Sequence, residues 1–127
     1  MTESFKKTEN QYDSKNVILS IYAGAGGTDA QDWAEMLLRM YLKYAKNKNW
    51  LAQTLQIRAG KEAGIKGATI EIKGSSVFEI LKGEAGVHRL VRISPFSSAK
   101  LRHTSFALVE VLPEIEEPEV KIRPEDL

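Results

Sequence analysis

The sequence predicts an α+β domain, a mostly antiparallel β-sheet with one long and one short helix packed on it. Three observations carry that prediction. Short runs rich in β-branched residues recur along the chain, two stretches carry helical rather than strand spacing, and several connections between runs are too short for parallel crossovers. At 127 residues the chain supports one domain with a single core.

The elements follow in chain order. Val17–Ala23 reads as a strand buried on at least one face. Gly24, Gly26 and Gly27 then make a sharp corner, and Thr28 or Asp29 caps a helix running to about Lys46. Ala30, Trp33, Leu37, Met40 or Tyr41, and Tyr44 fall on one helical stripe, while Asp29, Asp32 and Glu35 are spaced like a solvated face. Basic residues and Asn47–Asn49 close that helix. A strand over Leu51–Arg58, a Gly60–Gly64 turn and a strand over Ala68–Ile72 come next. Gly74-Ser75-Ser76 caps a short helix ending near Lys82-Gly83. Val87–Ile93 and Ser105–Leu112 are two more strands, joined by a loop far longer than a hairpin needs. Residues 1–16 read as a polar lead-in, 17–112 as the domain, and 113–127 as an acidic, proline-containing linker in which Val120–Arg123 adds an edge strand.

Composition excludes several classes. Hydrophobic content of 43% and charged content of 28% suit a soluble globular chain. No apolar run approaches the roughly 18 residues of a membrane span, and the N-terminus has no apolar signal core. The absence of cysteine removes disulfides and thiolate metal sites and fits a cytoplasmic chain. A net charge of +1 is too balanced for a general nucleic-acid coat. Yet no Asp or Glu occurs from Ala85 through Leu108, where Arg89, Arg92, Lys100 and Arg102 are joined by His88 and His103. Such a local basic face suits one anionic partner, although a solvated charge cluster has the same composition.

Two places offer binding chemistry. At the glycine corner, free N–H groups at a helix start face an anion or a base edge without a Cβ in the way; a simple tight turn is the alternative. In the loop ISPFSSAKLRHTS, Pro95 restrains Ser94, Phe96 offers a ring for stacking, Arg102 a phosphate fork, His103 a flat ring and Thr104 a hydroxyl. Those are the parts that read unpaired RNA; a satellite apolar cluster around Phe96 is the alternative. Catalysis has poor support: no nucleophile-elbow pattern surrounds Ser94, and His88 with His103 makes no metal-site spacing.

The blocks AGAGGTDAQDWAEMLLRMY, EAGIKGATIEIKG, GEAGVHRLVRISPF and RHTSF resemble the bacterial class I peptide chain release factors over about Val17–Leu127. Ser-Pro-Phe resembles the release factor 2 type, which terminates at UGA and UAA. The resemblance implies that Ser94, Pro95 and Phe96 discriminate the second base of a stop codon in the ribosomal decoding centre. It implies that His103 stacks on the codon, that Thr104 helps read the third base, and that the Gly26-Gly27-Thr28 backbone meets the first uridine. Arg92, Lys100 and Arg102 are then the expected phosphate or ribosomal-RNA ligands, with no cofactor, metal or small-molecule substrate. Two positions depart from the family pattern: Asp29 stands where Glu is usual, and Leu101 where a second Arg is common. The family's peptidyl-tRNA hydrolysis depends on a Gly-Gly-Gln motif, which this sequence does not contain. The expectation is therefore an excised codon-reading domain, with a truncated, non-decoding ribosome-binding paralogue as the alternative.

Overall fold

The structure is a computed structural model that describes residues 16–25 and 27–114. Val17–Ala23 forms β1, and its apolar composition matches its place at the centre of the sheet. There it pairs antiparallel with β3 (Ile65–Lys73) on one side and β5 (Arg102–Pro113) on the other. β2 (Leu51–Ala59) and β4 (Gly86–Ile93) are the two edges, giving the order β2-β3-β1-β5-β4. Every neighbouring pair is antiparallel. The long helix α1 (Gly27–Asn47) and the short α2 (Val77–Leu81), which runs on into a 3-10 turn at Lys82–Glu84, complete the described elements. The α+β sheet with one long and one short helix is the predicted fold class.

Alternation along the strands divides the sheet into two faces. Val17, Leu19 and Ile21 join Ala68, Ile70, Ile72, Ala107, Val109 and Val111 in one buried cluster with Leu37, Leu38 and Tyr41 of α1. The predicted helical stripe is only partly right. Ala34, Leu38 and Ala45 are buried with Ala30, Leu37 and Tyr41, whereas Met40 and Tyr44 are exposed. Alanines at 30, 34 and 45 let the helix lie close to the sheet, which turns the stripe toward the small residues. Trp33, half-buried, donates its indole N–H to the His88 carbonyl at 3.1 Å and so ties α1 to β4.

Both predicted hairpins are present. In the β2–β3 turn Gly64 has φ +74°, and Gly60 N–H donates to its carbonyl at 2.8 Å. The predicted Ser cap on α2 is not made: Ser76 is left-handed, with φ 55°, and no side-chain capping bond forms. The β4–β5 hairpin departs more usefully from expectation. β5 starts at Arg102, not Ser105, because pairing continues through Arg92 opposite His103 and Ile93 opposite Arg102. Ser94 N–H then closes the loop on the Leu101 carbonyl at 2.9 Å. The loop is therefore residues 94–101, and His103 and Thr104 lie on a strand. Residues 1–15 and 115–127, including the expected Val120–Arg123 strand, and Gly26 fall outside the described residues. Among the described residues no helix is long and apolar enough to cross a membrane.

Candidate nucleic-acid interface

The corner before α1 is fixed from β5: Gly24 N–H donates to the Phe106 carbonyl at 2.8 Å. Gly27 takes φ +61°, and a Cβ built there meets nothing within 4 Å. Glycine is needed for the backbone turn rather than for room, and the approach from solvent stays open. Thr28 turns its hydroxyl toward Glu62 of the β2–β3 turn, donating at 3.4 Å.

One residue into the helix, Asp29 is 5% exposed and sits under the loop. Ser94, at 2% exposure, donates its hydroxyl to that carboxylate, with Oγ 2.7 Å from Oδ2 and 2.9 Å from Oδ1. The same Oγ accepts the Phe96 N–H at 3.1 Å. Further turns follow, from Ser97 N–H to the Ser94 carbonyl and from Lys100 N–H to the Ser97 carbonyl at 3.0 Å. On the neighbouring strand, His103 Nδ1 lies 3.3 Å from Asp29 Oδ2. Arg92, directly across from His103, places one guanidinium nitrogen 2.8 Å from Asp32 and 3.4 Å from Asp29. His88 is turned elsewhere, its Nε2 donating to the Glu84 carbonyl at 2.7 Å.

The structure thus gathers Gly27, Thr28, Ser94 and His103 around the first turn of α1, with Pro95 and Phe96 exposed beside them. It does not gather Thr104, Lys100 and Arg102. Thr104 and Arg102 alternate with His103 on β5 and face the opposite side of the sheet, and Lys100 is exposed in the loop. Asp29 and Asp32 correct the reading of a solvated acidic face. Their environment had one sequence signal: His88, Leu90 and Arg92 occupy inward positions of β4, and an inward Arg requires a carboxylate partner. Ser94 is likewise not a free hydroxyl. Its proton is committed to Asp29, and within the tripeptide it is Pro95 and the 46%-exposed Phe96 that face solvent. The wiring also disfavours hydrolysis, since the carboxylate stands between serine and imidazole, whereas a triad needs the imidazole between the other two.

Comparison with known proteins defines the class first: residues 4–109 match the PCRF domain. Peptide chain release factor 2 of Thermomicrobium roseum is 58% identical over 118 residues, covering 92% of this chain and 32% of that protein. Peptide chain release factor 2 of Thermotoga maritima is 56% identical with the same two coverages. Among solved structures, RF2 of Thermus thermophilus superposes with a TM-score of 0.81 at 48% identity, covering 91% of this chain and 35% of that one. The chain belongs to the peptide chain release factor family and is of the release factor 2 type. It spans about a third of the length of these relatives.

Proposed function

We propose that this chain reads the stop codons UGA and UAA in the ribosomal decoding centre, as the recognition part of a release-factor-2-type protein. The observation that carries the reading is the Asp29 carboxylate, which holds Ser94 at the root of the loop and His103 on β5 beside the Gly27-Thr28 corner. Three regions far apart in sequence thereby lie side by side, which supports a shared contact with one short stretch of unpaired RNA. Phe96 and the half-buried His103 ring offer faces on which bases stack. Gly27 offers an unobstructed helix start for the first uridine. In this reading Ser94, Pro95 and Phe96 discriminate the second base, with the Ser94–Asp29 bond holding the tripeptide in place. Lys100 and Arg102 meet phosphate from the exposed side, and Thr104, which faces that side rather than the Asp29 cluster, is the third-base contact that the family pattern implies. Peptidyl-tRNA hydrolysis is assigned outside these 127 residues, which hold no Gly-Gly-Gln. The cytoplasm, where ribosomes work, is the compartment this function implies.

The tripeptide is tested directly in a full-length release factor carrying residues 17–127. Replacing Ser94→Pro, Pro95→Ala and Phe96→Thr together lowers peptide release at UGA by about tenfold or more, the scale of losing a well-made base contact. Unchanged release at UGA contradicts the assignment.

A further inference from the structure

We infer that Arg92 is a positioning residue rather than a nucleic-acid ligand: it clamps the first turn of α1 onto the root of the 94–101 loop. Sequence reasoning places it with the phosphate-binding cations, but its geometry differs from theirs. Lys100 and Arg102 are exposed. Arg92 lies on the helix-covered side of β4 with its side chain 24% exposed, and its guanidinium reaches Asp32 at 2.8 Å and Asp29 at 3.4 Å. A second guanidinium nitrogen lies 3.8 Å from the Met36 sulfur, one turn further along α1.

The clamp answers an electrostatic problem. Asp29 and Asp32 stand three residues apart on one helical face, so their charges repel. Asp29 has a side-chain exposure of only 7%, and a carboxylate so buried requires a counter-cation. His103 supplies that charge only when protonated, whereas Arg92 supplies it at every working pH. With Arg92 in place the buried Asp29 keeps a cationic partner, and it accepts the Ser94 hydroxyl that in turn receives the Phe96 N–H. Without it, the carboxylate is drawn toward water and the loop loses its anchor. The helix corner and the loop then cease to be one rigid unit. The use made of that rigidity rests on the codon-reading function proposed above; the clamp itself does not.

Hydrogen exchange on the 127-residue chain, without ribosomes, therefore tests the clamp separately. In Arg92→Met the Ser94 and Phe96 amides exchange about tenfold faster, while amides of Leu19 and Ile70 in the central strands keep their rates. Arg92→Lys, which keeps the charge but not the fork, gives an intermediate effect. Adding Asp32→Asn to Arg92→Met produces little further change, because the two residues share one interaction. Should Arg92→Met not fold, Asp32→Asn alone provides the same readout. Unchanged exchange at Phe96, or equal acceleration of loop and core amides, overturns the proposal.

Discussion

Asp29 stands where the release-factor pattern usually has Glu, and the shorter side chain still brings its oxygens to 2.7 and 2.9 Å from Ser94 Oγ. Periodicity grouped Asp29, Asp32 and Glu35 as solvated; Glu35 is half-buried and pairs locally with the exposed Arg39 at 2.7 Å, one turn along the helix. The grouping fails for the two aspartates because Arg92 reaches them from about sixty residues away in the chain, a distance no local pattern reports. Ser94 was legible as a restrained residue before proline, but not as a buried one, for the same reason. Tyr41 shows a similar long-range pairing at the far end of α1. Its hydroxyl donates to Glu84 at 2.8 Å, and burial first, then that carboxylate, pushes the phenol well above its ordinary range. The fold therefore favours the protonated phenol. The resulting stability is fully present below pH about 10, where the unfolded phenol begins to ionise, and is lost as pH rises further. Tyr41→Phe should cost about 1 kcal/mol at neutral pH and flatten the alkaline fall in melting temperature. Thermal melts from pH 7 to 11 check both, and an equally steep alkaline fall in the variant refutes the assignment.

Among the elements, strands and helices were readable where residue type and spacing agreed, as in β1 and the body of α1. Their limits moved where pairing overrode composition. β5 gained Arg102, His103 and Thr104, a polar start that the sequence alone assigned to the loop, because cross-strand bonding to β4 persists to Ile93. That shift sends His103 and Thr104 to opposite sheet faces and removes them from a common limb. The β2–β3 turn is the other element whose role lies in its contacts. Gly64 combines φ +74° with close backbone packing on α1: an added Cβ would lie 2.1 Å from the Gln31 carbonyl oxygen. Gly64→Ala should therefore destabilise the chain by about 2 kcal/mol or more, the left-handed strain alone contributing about 1–2. Urea unfolding with an unchanged m-value is the expected form; a variant as stable as the parent contradicts this packing.

At the scale of the whole molecule, neighbouring runs in the sequence predicted both hairpins, but not that β1 would join them. β1 is drawn between β3 and β5 by apolar residues on its helix-facing side, and only long-range pairing selects those partners. This arrangement carries the β4–β5 loop beneath the start of α1 and assembles the candidate site from residues 27–29, 92–96 and 103. The local chemistry suggested unpaired RNA, and the proposed function takes that RNA to be a stop codon. The most direct test replaces the matching segment of a full-length release factor with residues 17–127 and measures peptide release on ribosomes programmed with UAA, UGA or UAG. Codon reading by this domain predicts release at UAA and UGA exceeding that at UAG by about 100-fold or more. Equal release at UGA and UAG contradicts it.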